Sequence, residues 1–447
     1  MTIDAPELFA GLQPYLGASR WLIGLSGGLD SIVLLHLLAE LRTQHNIPPL
    51  LAVHVNHQLN PDALEWSNFA RSVCRQLNIE IEVDTVAVEQ VGKGLEAAAR
   101  DARYRVFESL LQRGEVVLLA HHLDDQIETF FLRLLRGAGT RGLSGMPQSR
   151  GLGLGTLYRP LLDFRRQQLQ DYADQHELQW VEDGSNADTR HDRNYLRHAV
   201  LPLLEQRWPG YRGSVRRGIT AVGEAEVLLQ GVYAERMGAA RGSHFDTPTL
   251  AESCLSGNST EISARMLRLW LQELGLPLPG RDQLLEYISQ LRHADSGQTP
   301  ECRTSSYVLR RYREQLYACP LDTQLVLPVA QPLRVGPGLA LPGLGSVQLI
   351  PATGVGIASR WVEQLQVGFR DGGERCQPCG REHSQTLKKL LQEYAVPPWW
   401  RDRIPLLVVG DALVAAGDLW VCEGYQAERG ESGYEVRWNR NSPAYSD

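Results

Sequence analysis

The sequence is poor in lysine and contains no long apolar run. Its only lysines are Lys93, Lys388 and Lys389, so arginine carries nearly all of the positive charge of the 447 residues. No apolar stretch reaches the roughly 20 residues needed to cross a bilayer. The N-terminus lacks the basic flank and apolar core of a signal peptide. These absences predict a cytoplasmic protein with no membrane contact.

Cysteine is also scarce. The seven cysteines are scattered and odd in number, which argues against a disulfide framework. Cys376 and Cys379 form a single CxxC pair, with no second pair to complete a zinc site. Ordinary thiols are therefore the favoured interpretation, and half of a zinc site is the alternative.

The distribution of charge is uneven. A net charge of −7 argues against nonspecific coating of nucleic acid. Residues 131–220 nevertheless hold 14 arginines against 9 aspartates and glutamates, a local balance of +5. The planar guanidinium group suits phosphate. Codon usage explains the same arginine bias equally well, so the bias alone does not identify a partner.

Apolar and amphipathic segments alternate in the first half of the chain. Strands are predicted at residues 21–25, 50–55, 79–86 and 116–121. Helices are predicted between them at residues 31–42, 62–77 and 95–112. Continuous apolar strands separated by such helices are typical of a doubly wound parallel α/β sheet. Ligands bind such sheets at the carboxyl ends of the strands.

The length predicts two or three domains. The alternating pattern ends near residue 210, and helical patterns follow. Residues 305–319 then resemble a strand, and the last hundred residues are rich in short β-like segments. We expect an α/β domain at residues 1–213, a helical middle domain at 214–325 and a small β-rich or mixed domain at 326–447.

The segment LSGGLDS at residues 25–31 lies between the first predicted strand and the first long helix. Its two glycines let backbone N–H groups approach a ligand closely. The helix adds unpaired N–H donors and the positive end of its dipole. This combination favours a phosphate site over a turn that simply needs glycine. The candidate residues are Ser26, Gly27, Gly28, Leu29, Asp30 and Ser31.

Two better-known phosphate motifs are excluded. A Walker A loop, G-x-x-x-x-G-K followed by Ser or Thr, does not occur in the sequence. GAGTRG at residues 137–142 matches G-x-G-x-x-G but follows a predicted helix instead of a strand. Within LSGGLDS, Asp30 either caps the helix or helps to hold Mg²⁺.

Histidines and carboxylates cluster after the fourth predicted strand. They are His121, His122, Asp124, Asp125 and Glu128. Capping of a helix explains the acidic residues but does not require two adjacent histidines. Zinc is disfavoured because H-E-x-x-H is absent and carboxylates prefer Mg²⁺.

The SGGLDS segment resembles the pyrophosphate loop of the N-type ATP pyrophosphatases, or PP-loop proteins, which cleave ATP to AMP and pyrophosphate. GMP synthetases, argininosuccinate synthetases, tRNA thiolases and tRNA(Ile)-lysidine synthetases belong to that superfamily. AHHLDDQIETFFLRLLRGAGTRGLSGM at residues 120–146 is similar to the H-H-x-x-D-Q-x-E-T block of the lysidine synthetases. The same resemblance is carried by HVNHQLN (54–60), EAAARDARY (96–104), RPLLDFRR (159–166), EDGSNADTRHDRNYLRHAVLPLL (182–204) and SQTLKKLLQEYAVPPWWRDRIPLLV (384–408).

The resemblance spans nearly the whole chain and implies a PP-loop fold of the adenine nucleotide alpha hydrolase type. One departure is Tyr195-Leu196, where many relatives have Arg-Ile. The implied reaction converts the wobble cytidine of tRNA(Ile) with a CAU anticodon into lysidine, using L-lysine, ATP and Mg²⁺. The C2 oxygen is adenylated, the ε-amine of lysine attacks C2, and AMP leaves. The resemblance is compatible with a homodimer.

Residue roles follow from positions in the motifs. The lysine amine is protonated near neutral pH, so a base must remove a proton. The resemblance implies Asp125 as this base and Arg103 as a residue that steadies the adenylate. It implies that Glu128 either binds the substrate lysine or orients its neighbours. His121 and His122 are implied to contact phosphate or the target base. The other implied tRNA-binding residues are Asp124, Arg159, Arg193, Asn194, Arg197, Lys388, Lys389, Trp399 and Arg401.

Several alternatives stay open. Without the motif, Arg103 is better interpreted as a surface residue of an amphipathic helix. Trp399 with Trp400 can anchor a small core instead of stacking on RNA. A tRNA thiolase would need cysteines, but the sheet region offers only Cys74 inside a helix. A ligase for a small metabolite and a nucleotide-sensing protein without turnover are the remaining functional alternatives.

Overall fold

The structure is a computed structural model that describes residues 3, 5–87, 95–184, 188–294, 298–321 and 329–440. Residues 1–229 and 230–447 form two compact units. The predicted boundary at 213/214 falls inside a helix, and the boundary at 325/326 lies outside the described residues, as does Lys93. The three-domain division stays a prediction.

Strands and helices alternate in the first unit. The strands are β1 (Trp21–Gly24), β2 (Leu50–Asn56), β3 (Glu80–Thr85), β4 (Val116–Leu118), β5 (Ser149–Leu152) and β6 (Gly155–Tyr158). The helices are α1 (Ala5–Leu12), α2 (Leu29–Gln44), α3 (Ala63–Gln76), α4 (Leu95–Leu110), α5 (Leu123–Leu135), α6 (Thr140–Leu143), α7 (Arg166–Gln175), α8 (Asp192–Tyr195), α9 (Leu201–Arg207) and α10 (Tyr211–Gly238), which extends into the second unit.

The central sheet of this unit has the order β3-β2-β1-β4-β6-β5. Every neighbouring pair is parallel except β5 with β6. Trp21 and Ile23 pack into a core with α2, α3 and α7, whereas Leu22 packs into a second core with α4. Successive residues of a strand point to opposite faces, so an unbroken apolar strand is buried on both. The predicted doubly wound α/β fold is confirmed.

The parallel arrangement brings the chemistry-bearing segments to one edge. Gly24 of β1 is in register with Val53 of β2, and Ile23 is in register with Leu118 of β4. The loop after β1 and the histidines after β4 therefore leave neighbouring strands at the same carboxyl edge, as the sequence predicts.

The second unit combines helices with antiparallel sheets. Its helices are α11 (Thr260–Glu273), α12 (Arg281–His293) and α13 (Leu387–Glu393). Its strands are β7 (Arg241–His244), β8 (Thr247–Ala251), β9 (Glu301–Arg303), β10 (Tyr307–Tyr312), β11 (Gln315–Pro320), β12 (Gln331–Pro332), β13 (Leu339–Leu341), β14 (Gly345–Thr353), β15 (Ile357–Ala358), β16 (Gln366–Gly368), β17 (Arg375–Cys376), β18 (Gln385–Thr386), β19 (Leu406–Val409), β20 (Ala412–Ala416), β21 (Trp420–Val421) and β22 (Ser432–Asn439).

These strands form sheets of the orders β7-β8-β11-β10-β9, β12-β16-β19-β20-β21, β13-β14-β22-β15 and β17-β18. The predicted helices of the middle region and the β-rich tail are confirmed. The middle region also holds an antiparallel sheet, of which the sequence pattern predicts only the part near residues 305–319. Within the described ranges, no helix has the length and apolar character needed to cross a membrane.

Candidate active site

The SGGLDS segment folds into a compact turn around the hydroxyl of Ser31. Ser31 Oγ accepts hydrogen bonds from the amides of Ser26 and Gly27, each at 3.2 Å, and donates to the carbonyl of Gly28 at 2.9 Å. Gly27 has a φ of 89°, a left-handed conformation that favours glycine. The buried Ser31 hydroxyl is thus engaged in shaping the turn, while the exposed Ser26 is the more accessible donor.

Gly28 caps α2 and has a backbone conformation open to any residue, with φ −77° and ψ 163°. A Cβ atom at this position would meet nothing closer than Ser26 Oγ at 3.6 Å. The fold therefore does not require glycine at position 28, whereas a ligand held by the backbone would. The amides of Leu29 and Asp30 begin the helix, where N–H groups lack carbonyl partners within it.

Asp30 is the loop residue best suited to a cation. Its side chain is about one-third exposed, and its Oδ1 atom is buried without a hydrogen-bond partner. Arg166 Nε lies 3.9 Å from that oxygen. A free carboxylate oxygen beside a phosphate site fits Mg²⁺, which binds through one or two carboxylates plus substrate phosphates. The described residues contain no cluster of three metal-binding side chains, so phosphate oxygens would have to complete such a site.

His122 connects the loop to α5. Its Nε2 atom lies 3.5 Å from both Asp30 Oδ2 and Asp125 Oδ2, and its Nδ1 atom lies 4.0 Å from Asp124 Oδ2. Burial disfavours a charged ring, but these carboxylates outweigh it and raise the pKa of His122 to about 9. The amide of Asp125, 3.3 Å from Nδ1, favours a neutral ring instead. Three carboxylates outweigh one long contact, so we expect His122 to be cationic at neutral pH.

This protonation state is directly measurable. Because the pKa of His122 lies above its ordinary value of 6.5, its contribution to stability is full below pH 6.5 and is lost as the pH rises through about 9. In an NMR titration of protein with labelled histidine, we expect one ring to titrate near pH 9. That signal should be missing from the His122→Gln variant. Titration of the His122 ring at or below pH 6.5 would contradict the assignment.

Asp125 and Glu128 lie on the first turns of α5 and are bound by two arginines. Arg193 donates to Asp125 Oδ1 at 2.7 Å and to Glu128 Oε2 at 2.6 Å. Arg197 donates to both oxygens of Glu128, at 2.6 and 3.0 Å. Burial raises the pKa of Asp125, but the charges of His122 and Arg193 outweigh it and hold the pKa well below its usual range. In this arrangement Asp125 is a carboxylate with little affinity for a proton.

The arginines come from the segment after residue 190. Arg193 lies on α8, and Arg197 lies on the π-helical turn Leu196–Val200 that follows it. A spacing of four residues puts both side chains on the same side of this helical segment. The amide of the Asn194 side chain donates to the carbonyl of Asp188 at 3.0 Å, which ties down the chain before α8. The sequence assigns these residues to tRNA, and the structure brings Arg193 and Arg197 to the carboxylates.

Asp124 is held by other partners. Its Oδ2 atom accepts from the Arg166 amide at 2.8 Å, and its Oδ1 atom accepts from Arg212 Nε at 2.8 Å. Arg212 also contacts Glu205. Burial raises the pKa of Asp124, but these hydrogen bonds together lower it. Asp124 therefore links α5 to α7 and α10, and Arg212 is a site neighbour that the sequence motifs did not single out.

The other histidine, His121, stays neutral. Burial lowers its pKa to about 3, and the nearby charges of Arg159 and Arg100 add to this effect while Asp125 opposes it. The Nδ1 atom of His121 is buried without a hydrogen-bond partner. His121 is thus a neutral side chain at the carboxyl edge of the central sheet, and its Nδ1 atom is available to a ligand as a hydrogen-bond donor or acceptor.

Arg103 is exposed on α4. Burial lowers the pKa of His57 to about 4, and the charge of Arg103 adds to this effect. Both ring nitrogens of His57 are buried without a partner. His57 directly follows β2, so it is a further polar residue at the carboxyl edge of the central sheet. It belongs to the HVNHQLN segment, but the sequence analysis did not single it out.

In the second unit, the predicted tRNA-binding residues of the tail divide into two groups. Lys388 and Lys389 are exposed on α13. Trp399 is half-buried against Tyr317, with ring centroids 5.1 Å apart. Arg401 donates to the carbonyl of Val396 at 3.1 Å. These contacts favour a packing role for Trp399, and tRNA binding by the group stays a prediction.

Trp400, the neighbour of Trp399, tests whether this tryptophan pair serves packing, because it is only 9% exposed and lies in the core of the tail. Trp400→Ala should destabilise the second unit by about 3–5 kcal/mol, as other large-to-small changes in cores do. The double change Lys388→Gln and Lys389→Gln should alter stability by less than about 0.5 kcal/mol and weaken tRNA binding. Urea unfolding and filter binding would measure both. Normal stability of the tryptophan variant would contradict the packing role.

Successive parts of the chain match three sequence families. The PP-loop domain matches residues 4–204, the TilS substrate binding domain residues 253–317 and the TilS substrate C-terminal domain residues 365–438. Among solved structures, the U34-tRNA thiolase NcsA from Methanococcus maripaludis gives a TM-score of 0.40 at 19% identity, over 49% of this chain and 78% of that chain.

Curated relatives match over nearly their whole length. The tRNA(Ile)-lysidine synthase of Coxiella burnetii is 39% identical over 94% of this chain and 93% of its own. That of Alkalilimnicola ehrlichii is 41% identical over 95% and 96%, and that of Serratia proteamaculans is 39% identical over 97% and 99%. With a PP-loop turn beside the paired carboxylates and this level of identity along both chains, the protein belongs to the tRNA(Ile)-lysidine synthase family.

Proposed function

We propose that this protein is an ATP-dependent ligase that joins L-lysine to C2 of the wobble cytidine of tRNA(Ile) with a CAU anticodon. The product is lysidine, and ATP is converted to AMP and pyrophosphate. A carbon–nitrogen bond is formed through an adenylated tRNA intermediate. The observation that carries the proposal is the adjacency of the SGGLDS turn and the α5 carboxylates, linked by His122 at 3.5 Å from both Asp30 and Asp125.

The turn suits the adenylation step. The C2 oxygen of cytidine attacks the α-phosphorus of ATP, and negative charge grows on the departing pyrophosphate. Backbone N–H groups at Leu29 and Asp30 are fixed in place before the reaction, so they stabilise that charge without reorganisation. The Gly28 amide, which donates to Ser26 Oγ at 3.4 Å in this structure, would exchange this long contact for the phosphate. Mg²⁺ bound through Asp30 would neutralise further charge on the phosphate oxygens. The cationic His122 holds Asp30 in position.

The α5 carboxylates suit the lysine step. The ammonium group of lysine must lose a proton before its nitrogen can attack C2. Asp125 and Glu128 offer two negative charges, which Arg193 and Arg197 neutralise in this structure. A lysine ammonium can replace one guanidinium at these carboxylates. Loss of the Arg193 contact would also raise the pKa of Asp125 toward its usual range, which makes it a better proton acceptor.

Positive residues supply candidate tRNA contacts. Arg159 and Arg103 lie at the catalytic edge of the first unit, and Lys388 and Lys389 are exposed in the second. An unstacked wobble base has to be contacted outside a helix, by hydrogen bonds to its edges and by phosphate contacts beside it. A homodimer and a cytoplasmic location remain predictions from the sequence.

The test is transfer of radiolabelled lysine in the presence of ATP and Mg²⁺. We expect label in tRNA(Ile) with a CAU anticodon and none in methionine tRNA with the same anticodon, with AMP formed in equal amount. The methionine tRNA is the matched control because the two share the target base and its neighbours in the anticodon. Absence of transfer, or equal labelling of both tRNAs, would contradict the proposal.

A further inference from the structure

A group of arginines near α4 has no acidic partner among the residues that the structure describes. Arg100, Arg150 and Arg159 surround Tyr104, and we call these four residues the Tyr104 cluster. None of its arginines lies within ion-pair distance of a carboxylate in the part of the chain that the structure describes. Arg193 and Arg197, by contrast, are neutralised by Asp125 and Glu128. The cluster therefore leaves an excess of positive charge beside the catalytic edge.

The arginines converge on one phenol. The guanidinium carbons of Arg100 and Arg150 lie 5.3 and 5.0 Å from the centre of the Tyr104 ring. Arg100 Nη2 and Arg159 Nη2 each lie 3.4 Å from the Tyr104 hydroxyl. Burial raises the pKa of Tyr104, but the charges of Arg100 and Arg159 outweigh it and lower the pKa. The Tyr104 side chain, and not a carboxylate of the described residues, is thus the contact that these three cations share.

Arg159 is the most informative member, because it is only 2% exposed. Its Nη1 atom donates to the carbonyl of Pro147 at 2.6 Å, but its Nε atom is buried without a hydrogen-bond partner. A buried guanidinium with an unused donor and no counter-charge is unfavourable unless an anion completes it. The described part of the protein supplies no such anion, so an anionic ligand can fill this role.

The position of the cluster narrows the choice of ligand. Arg159 directly follows β6, and His121 follows β4, the neighbouring parallel strand. Arg159 and Arg100 both lower the pKa of His121, so the cluster adjoins the catalytic histidines. The SGGLDS turn follows β1, two strands from β6, which is roughly 10 Å away at the usual strand spacing. A phosphate at the cluster is therefore separate from the pyrophosphate held by the turn.

We propose that the Tyr104 cluster binds a phosphate group of the tRNA backbone next to the target cytidine. This assignment rests on the proposed function, because it takes the RNA as the ligand. Arginine forks suit phosphate oxygens, and fixed phosphate contacts position a nucleic acid without reading its sequence. The cluster would hold the RNA backbone on one side of His121, while the SGGLDS turn holds the departing pyrophosphate on the other side.

The test compares three single changes, each of which removes one positive charge. Arg150→Gln and Arg100→Gln alter exposed members of the cluster. The control, Arg105→Gln, alters an exposed arginine that lies on α4 like Arg100 but makes no contact with Tyr104 in the described structure. Binding of tRNA(Ile) is measured by filter retention over a series of salt concentrations, without lysine. Binding of ATP alone is measured in parallel by equilibrium dialysis.

We expect each cluster variant to bind tRNA about tenfold more weakly than the Arg105→Gln control. The slope of log affinity against log salt should fall by about 0.7 to 1, as for loss of one phosphate contact. ATP binding should be unchanged. If ATP binding falls while the tRNA slope stays, the cluster holds a nucleotide phosphate and the proposal is wrong. If the cluster variants match the control, it is not an anion site. Because the binding assay contains no lysine, its result can be interpreted even if the lysine transfer assay of the proposed function fails.

Discussion

Replacement of Asp125 by Asn should reduce lysine transfer by about 100-fold to 10,000-fold, the usual contribution of a positioned acid or base. An amide of the same shape can still accept from the His122 amide, which lies 3.1 Å from Asp125 Oδ2, so the start of α5 is preserved. It cannot accept a proton from lysine. ATP binding should stay near the wild-type level, because the backbone N–H groups of the SGGLDS turn hold the phosphates and Asp125 is linked to the turn indirectly, through His122.

The two steps of the reaction can be separated in this variant. With Asp125→Asn, adenylated tRNA should form and accumulate, since only the second step needs the base. Asp171→Asn is the matched control, because it makes the same chemical change on α7, where Asp171 accepts from the Gln167 side chain at 2.9 Å. The control should transfer lysine normally. Turnover close to normal in Asp125→Asn would remove Asp125 from the catalytic role.

Replacement of Gly28 by Ala should abolish most ATP binding without harming the fold. The backbone at Gly28 is open to any residue, and the new methyl group would meet no atom of the protein closer than 3.6 Å. Stability should therefore be unchanged or slightly raised. A methyl group between the amides and the phosphate should weaken ATP binding and turnover by about 100-fold, similar to loss of an anion-stabilising donor.

Gly27→Ala provides the contrasting variant. At a φ of 89° an alanine is strained, so stability should fall by roughly 1–2 kcal/mol. Thermal melting and equilibrium dialysis with ATP would compare the two changes. If Gly28→Ala binds ATP as well as the wild type, the turn does not hold the phosphates at this position. If Gly28→Ala unfolds, its glycine serves the fold and not the ligand.

Elements with strong local signals could be predicted from the sequence. The unbroken apolar runs of β1, β2 and β4 are buried on both faces, and α2, α3 and α4 lie near their predicted positions. Of these helices, α2 is buried on most of its surface instead of one face. The SGGLDS turn was predictable because glycine and a helix start coincide with the end of a strand. These features depend on residues that are close together in the sequence.

Features without a local signal were missed. The segment at 305–319 reads as one strand, but it forms the hairpin of β10 and β11, whose turn residues Arg313 and Glu314 have φ values of 47° and 60°. Left-handed turns of this kind usually carry Asn or Gly, so the sequence gives no turn signal. The same holds for Phe245 and Asp246 between β7 and β8, with φ values of 52° and 53°.

The sequence places the candidate carboxylates on one helix, but it does not predict which arginines pair with them. Asp125 and Glu128 follow from the helix period, whereas their contacts with Arg193 join residues more than 60 positions apart. Such pairing depends on the approach of α8 to α5, which no local pattern encodes. The low pKa of Asp125 follows from the charges of His122, three residues away in the sequence, and of Arg193 on α8. The sequence could therefore name the candidate base but not the arginine that neutralises it.

The most direct measurement uses ATP labelled at the α-phosphorus, with tRNA(Ile) and enzyme but no lysine. Label should become attached to the tRNA and be released as AMP when lysine is added, whereas label at the γ-phosphorus should never reach the tRNA. The central claim is that the turn after β1 holds the departing pyrophosphate while an oxygen of the cytosine base becomes linked to AMP. Transfer of the γ-label to the tRNA, or lysine incorporation without an α-labelled tRNA intermediate, would contradict it.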